Sequence, residues 1–400
     1  MKILMISSTF PYPPTKGGTQ NRTFNLLKYI AQNHQVTLIT QVAKTVTEID
    51  IKNLREYVHD LQVFLPNQPV TNYPWSKVNR LIKAWYQEIP PHVKSLYNPH
   101  IQDWLDQAII EQKFELITCE HSVNEIYIRP EWKQRLKIVI NIHSSVFKTC
   151  QNGLVTKTSE YPWRDRLYLP LLRRYEQRIL TKFSQIVVTT DEDAEQMSLF
   201  APTTPINIVP NGVDLSLFPY RNLDPGGYNL IFVGGLDYLV NIDAVCFFAR
   251  EVFPLLQQDF PATSLTIVGA NPTPEVIALT QLSPGITVTG RVPSVAEYLH
   301  QATVAIAPLR SGFGMKIKTL EYMAAGTPVV GSDRGLEGLR VEQPLLALRA
   351  NSISEYLTSI SKLFTDAQLR ATLSVNARRT IEADYTWESL AAQYQRVLEL

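Results

Sequence analysis

Runs of apolar, largely β-branched residues recur through the first half of the chain, at Lys2 to Ser7 (KILMIS), Val36 to Thr40 (VTLIT), Phe114 to Cys119 (FELITC), Lys137 to His143 (KIVINIH) and Gln185 to Thr190 (QIVVTT). Near-continuous apolar strands of this kind fit a parallel sheet covered on both faces. Between them the period changes: behind Gly17-Gly18, the stretch Thr19 to Gln32 places Phe24, Leu27, Ile30 and Ala31 at helical spacing. The alternation restarts after Ala201-Pro202-Thr203-Thr204-Pro205, with strands expected at Asn207 to Val209, Asn229 to Val233, Ser264 to Val268, Ile286 to Thr289 and Val304 to Ala307. Two doubly wound α/β domains follow, with boundaries at 1–203 and 204–380. A last helical pattern, within 381–400, places Leu390, Tyr394, Val397 and Leu398 on one stripe and is expected to pack back on the first domain.

Length and composition agree with this division. Four hundred residues, 45% hydrophobic, exceed what one core usually organises, so a cleft between two domains is expected. Net charge is +1, but residues 1–205 hold 24 Lys+Arg against 19 Asp+Glu, which leaves 14 against 18 of the chain's 38 and 37 for the rest. That asymmetry suits an anionic surface or acceptor facing the first half. Cys119, Cys150 and Cys246 stand far apart without a CxxC pair, which fits a reducing cytoplasm and suggests neither disulfides nor a thiolate metal site. No signal-peptide pattern opens the chain, and no run approaches the roughly 18 apolar residues of a spanning helix. Basic residues are dispersed, so nucleic acid is not an expected partner.

The densest chemistry lies in Ala307 to Val330 (APLRSGFGMKIKTLEYMAAGTPVV), which reads as strand, glycine loop, helix, and a Gly-Thr-Pro turn into another strand. Gly312 and Gly314 allow a close backbone approach, and the helix after them begins where free N–H groups and the dipole would hold an anion. Lys316 and Lys318 carry the wrong sign for that end of a helix, so both point to an anionic ligand in front of it. Glu321, one turn on, suits vicinal hydroxyls such as those of a ribose. An ordinary alternative is a solvated Lys–Glu helix turn. The GxxxxGK[ST] spacing is absent and no GxGxxG follows the first strand, which demotes ATP and NAD.

The run resembles the donor-binding signature of the family-4 retaining glycosyltransferases of the GT-B fold. Further segments fall in that family's order: Pro13 to Gly18, Val209-Pro210-Asn211-Gly212-Val213-Asp214, Phe232 to Leu236, Ile267-Val268-Gly269 and Val288 to Val292. The resemblance covers essentially the whole chain and implies two Rossmann-like domains, a nucleoside-diphosphate sugar of UDP or GDP type as co-substrate, and no cofactor or divalent metal. It assigns Lys316 and Lys318 to the departing diphosphate and Glu321 to the ribose. The glycine loop Gly312, Phe313, Gly314 and Met315, together with Gly234-Gly235, would lie along the donor. Gly290, Arg291 and Val292 would meet the base, Gly17-Gly18 the phosphates from the first domain, and His143 the donor sugar. A strand-end histidine is also commonly a satisfied structural residue.

Two departures from the family pattern stand out. Position 313, eight before Glu321, is Phe where relatives carry an acid, and no acid occurs between Glu297 and Glu321. After the second domain's first glycines the chain reads Gly235-Leu236-Asp237-Tyr238 and then Asn241, where many relatives have phosphate-binding Arg and Lys. A branch of the family with a lysine-containing glycine loop shares this arrangement. A GT-B nucleotide-sugar epimerase and a non-catalytic nucleotide-sugar-binding subunit are the competing classes. An epimerase needs acid–base groups over the sugar, and a binding subunit has no reason to keep Lys316, Lys318 and Gly17-Gly18 together. In residues 71–100, Tyr73, Trp75, Trp85, Tyr86 and Tyr97 interleave with Lys77, Arg80, Lys83 and Lys94. The pattern fits either peripheral contact with the inner face of the plasma membrane and a lipid-linked or saccharide acceptor, or an ordinary helical insert.

Overall fold

The structure is a computed structural model that describes residues 1–66 and 88–399. Most of the aromatic–basic stretch expected at 71–100 therefore lies outside the described residues. The chain forms two compact units, one of Met1–Gln151, Tyr161–Pro210 and Leu390–Leu400, the other of Asn152–Glu160 and Asn211–Ser389. The main division thus falls after Pro210.

Among the described residues the first unit holds a seven-stranded parallel sheet in the order β3-β2-β1-β4-β5-β6-β7. Its strands are β1 (Lys2–Ser7), β2 (Gln35–Gln41), β3 (Asp60–Phe64), β4 (Leu116–Glu120), β5 (Lys137–Asn141), β6 (Gln185–Val188) and β7 (Ile206–Ile208). Ile3 pairs with Val36 on one side and Leu116 on the other. Leu4 and Ile6 face one core with Ile117, Ile138 and Ile186, while Ile3 and Met5 are equally buried on the opposite face. Burial on both faces explains why these strands read as unbroken apolar runs. β3 (DLQVF) escaped the sequence reading because an edge strand alternates and carries few apolar residues.

The second unit repeats the design with β8 (Asn229–Val233), β9 (Ser264–Val268), β10 (Ile286–Gly290), β11 (Val304–Ala307), β12 (Val329–Gly331) and β13 (Leu348–Arg349), in the order β10-β9-β8-β11-β12-β13. Leu230 and Phe232 face one core, and Ile231 and Val233 face the other.

The C-terminal segment is two helices. Ala367–Asp384 ends before Tyr385-Thr386, where Thr386 bridges to Val213, and Trp387–Glu399 follows. Within the first unit, the Tyr394 hydroxyl donates to Glu120 Oε1 at 3.0 Å and Lys137 Nζ to the Val397 carbonyl at 2.7 Å.

Candidate active site

In the second unit the strand order reverses direction between β8 and β11, and in open parallel sheets ligands gather outside the carboxyl ends of the strands at such a point. Gly234-Gly235 follows β8 there, and the glycine loop follows β11. Gly312 (φ +89°) and Gly314 (φ +82°) occupy left-handed backbone that an L side chain resists. Gly234 is fixed by space: a Cβ would lie 2.7 Å from Lys318 Nζ and 2.8 Å from Asn241 Nδ2.

The helix Ile317–Ala324 is bolted to the sheet behind this loop. The Val233 N–H donates to the Tyr322 hydroxyl at 2.8 Å, and the Thr319 hydroxyl donates to the Gly335 carbonyl at 2.7 Å. Leu320 and Met323 fill the core beneath. That anchorage presents Lys318 and Glu321 as neighbours. Lys318 Nζ donates to Asn241 Oδ1 at 2.6 Å and sits 4.3 Å from the centre of the Phe232 ring. Asn241 is itself oriented by donating Nδ2 to the Gly235 carbonyl at 2.9 Å.

Burial pulls the Lys318 ammonium down to about 7, with Glu321 opposing the shift and Lys316 adding to it. Burial likewise pushes the Glu321 carboxyl up to about 7, and Lys318 only partly offsets it. No hydrogen bond reaches the Glu321 carboxylate among the described residues. Half-buried and without a protein donor, the Glu321 carboxylate is left to solvent or to the donors of a ligand.

Lys316 is differently placed. It occupies the N-cap of the same helix, donates to the Gly314 carbonyl at 2.5 Å, and lies 3.6 Å from Glu337. Glu337 is the acid that sequence reasoning missed. It is 4% exposed, accepts the Gly314 N–H at 3.1 Å and pairs with Arg334 at 3.2 Å, while Arg334 stacks over Phe313. Fold thus returns a carboxylate to the loop from beyond β12. The available signal was Gly335-Leu336-Glu337-Gly338, an acid framed by glycines, with Gly335 so close to the sheet that a Cβ would lie 2.1 Å from the Ala307 carbonyl.

Met315 is buried, and its carbonyl accepts from Asn211 Nδ2 at 3.1 Å, which ties the Pro-Asn-Gly segment to the loop. Gly290 (φ +72°) ends β10, and its carbonyl accepts the Gly269 N–H at 3.1 Å. Gly269 in turn abuts Gly234, whose carbonyl oxygen would stand 1.7 Å from a Cβ added at Gly269. Arg291 is exposed and Val292 half-buried beyond that strand end.

The first unit holds Gly17, Gly18 and His143. Gly17 is extended, and its carbonyl accepts the Asn21 N–H at 2.9 Å as the helix Gly18–Ile30 begins. His143 follows β5 with its ring 5.1 Å from that of His121, and its Nε2 is buried without a hydrogen-bond partner. Burial first, then His121 and Arg22, hold its imidazole well below the usual range, so it is neutral. His121 is strained at φ 78° and is pulled to about 4 by burial and His92. Next to them Arg22 donates to Asn141 Oδ1 at 3.1 Å and to the carbonyls of Pro210 at 2.7 Å and Val209 at 2.8 Å. Asn141 Nδ2 donates to Glu120 Oε2 at 3.0 Å.

Among the described residues no three His, Cys, Asp or Glu side chains are grouped to hold a metal ion, and no helix is long and apolar enough to cross a membrane. Comparison with known proteins places the whole. Residues 16–217 match the family described as Glycosyltransferase Family 4, and residues 227–366 match Glycosyl transferases group 1. The chain is 21% identical over 378 residues to an uncharacterized 44.6 kDa protein in the cps region of Klebsiella pneumoniae, covering 90% of this chain and 92% of that one. It is 27% identical over 243 residues to the phosphatidyl-myo-inositol mannosyltransferase of Mycolicibacterium smegmatis, covering 57% of this chain and 59% of that one. The solved structure of Anabaena HepE with UDP-glucose superposes with a TM-score of 0.62 at 14% identity, covering 100% of this chain and 99% of that one. Staphylococcus aureus TarM gives 0.63 at 11% identity, with 100% of both chains covered. These likenesses establish the GT-B fold, and with one family match alone spanning half of its length, the chain belongs to glycosyltransferase family 4.

Proposed function

We propose that this glycosyltransferase moves a sugar from a UDP- or GDP-sugar to a saccharide or lipid-linked acceptor with retention of configuration and without a divalent metal. The observation that carries the donor reading is the half-buried Glu321 carboxylate, without a hydrogen bond among the described residues, next to Lys318 at the second unit's switch point. In this reading Glu321 takes the ribose hydroxyls. Lys318, backed by Asn241, stabilises the charge that grows on the diphosphate as the glycosidic bond breaks, the kind of contact whose removal costs about 3–4 kcal/mol. Lys316 holds the glycine loop through Gly314 and Glu337 and adds positive potential in front of the helix. Gly312, Phe313, Gly314 and Met315 line the donor together with Gly234-Gly235, and Gly290 to Val292 serve the base. From the first unit, Gly17-Gly18 contribute backbone and the neutral His143 a hydrogen bond to the donor sugar. The reading is supported by the bound UDP-glucose of the Anabaena structure. Envelope glycan or glycolipid synthesis is supported by the mycobacterial mannosyltransferase and the Klebsiella cps-region protein.

Differential scanning fluorimetry against a panel of nucleotide sugars tests it. A UDP- or GDP-sugar at a hundredfold excess over Kd stabilises by about 2.7 kcal/mol, well within detection. The expected result is a shift with one nucleotide class and none with ATP or NAD. No shift with any nucleotide sugar, or transfer that EDTA abolishes and Mg²⁺ restores, contradicts it.

A further inference from the structure

The donor site described so far leaves one cation of the glycine loop without a task. Arg334 comes from beyond β12 and lays its guanidinium 4.7 Å from the centre of the Phe313 ring, on the residue between the two left-handed glycines. Both side chains are half-buried, so each keeps an edge that a ligand can reach.

Arg334 is held in that place from behind. It pairs with Glu337 Oε1 at 3.2 Å, the oxygen that also accepts the Gly314 N–H at 3.1 Å, while Lys316 Nζ faces Oε2 at 3.6 Å. The buried Glu337 carboxylate therefore engages the two cations through different oxygens. The carboxylate next to Arg334 in sequence, Asp333, is paired with Arg349 at 2.6 Å. No acid occurs between Glu297 and Glu321, and Glu321 is assigned to the ribose. At Phe313 the loop thus offers an aromatic ring and a guanidinium, and no accessible carboxylate.

That surface is selective in its chemistry. The hydroxyls of a neutral hexose donate as well as accept, and a site that reads them supplies acceptors. A guanidinium has only donors, and its planar fork matches a carboxylate through two parallel N–H···O bonds. Stacked on one ring and tethered to one carboxylate, the fork is already ordered, so little side-chain freedom is lost when a second carboxylate arrives.

We propose that Arg334 selects a donor whose sugar carries a carboxylate, a nucleoside-diphosphate hexuronate. The inference rests on the donor-site reading above and narrows its substrate class.

The test is isothermal titration of the full chain with UDP, UDP-glucose, UDP-glucuronate and UDP-galacturonate, and with GDP, GDP-mannose and GDP-mannuronate. Within the series of the base that the protein accepts, a hexuronate is expected to bind at least about tenfold tighter than the neutral sugar, the effect of one charge-assisted contact. Arg334→Gln should bring the hexuronate to the level of the neutral sugar while the bare diphosphate binds as before. Arg334→Lys, which keeps the charge without the fork, should fall between. A thermal melt checks that each variant folds, and the wild-type preference decides on its own if one does not. A neutral sugar that binds as tightly as the hexuronates overturns the proposal and leaves the donor site standing. So does Arg334→Gln weakening bare UDP or GDP as much as the hexuronate, since the guanidinium is then a diphosphate contact. If no nucleotide or nucleotide sugar binds, the donor site itself is wrong and the inference falls with it.

Discussion

The two units solve the same topological problem in opposite ways. Each has a parallel sheet whose order reverses beside its first strand, and each gathers charged side chains at the carboxyl ends there. In the first unit those charges answer one another: Arg22 reaches Asn141 and two carbonyls, Asn141 reaches Glu120, and Tyr394 closes the other carboxylate oxygen. Burial still lowers Arg22 to about 10 and raises Glu120, with each opposing the other's shift. In the second unit Lys318 is bonded to Asn241 while no hydrogen bond reaches Glu321 among the described residues, and glycines take the place of side chains around them. Filled polar networks specify a structure. Open ones mark a ligand site, and this contrast, more than any single motif, separates scaffold from chemistry here.

Substitutions on the two sides of that contrast should therefore fail differently. The largest effect is expected from Lys318→Ala, which removes a contact that strengthens in the transition state: kcat falls by roughly a hundred- to a thousandfold in steady-state transfer assays. Glu321→Gln should raise donor KM about 10- to 150-fold with kcat largely kept, because ribose hydroxyls are held alike in ground and transition states. Loss of turnover at saturating donor in that variant would instead make Glu321 an acid–base group. Asn241→Ala should lower kcat about tenfold, the worth of one hydrogen bond that positions Lys318, and Asn241→Ser should recover part of it. The smallest kinetic effect belongs to the filled network of the first unit. Tyr394→Phe leaves one Glu120 oxygen unpaired and should cost about 1–3 kcal/mol of stability, read as an earlier thermal transition, with donor KM unchanged. If Tyr394→Phe alters donor KM as much as Glu321→Gln does, the division into scaffold and site collapses.

The sheets were legible because buried parallel strands advertise themselves as apolar runs, and the loop was legible because its glycines, lysines and glutamate lie within ten positions. Glu337 was not, since its partnership with Gly314 and Lys316 depends on the return of the chain through β12. Asn241 was read only as a missing cation, although it is the group that orients Lys318. In the first unit His143 was marked by its strand end. Its neighbour His121 was not, because left-handed backbone at a non-glycine residue has no sequence signature. Arg173, Arg174, Glu176 and Arg178 do not share one solvated face: Glu176 is buried and Arg178 donates to the Glu88 carbonyl, while Arg173 and Arg174 are exposed.

The central claim is that Lys318 meets the donor diphosphate as a cation, and proton-linked calorimetry tests it most directly. With its ammonium held near 7 in the free protein, Lys318 is charged below that pH and neutral above it, whereas a bound diphosphate restores its charge. Titrating the nucleotide sugar identified by fluorimetry from about pH 6 to about pH 9 should show affinity falling as pH rises above about 7, with uptake of a proton on binding. Lys318→Ala should bind without that uptake. Affinity that is flat across the range and equal in wild type and Lys318→Ala would contradict the account.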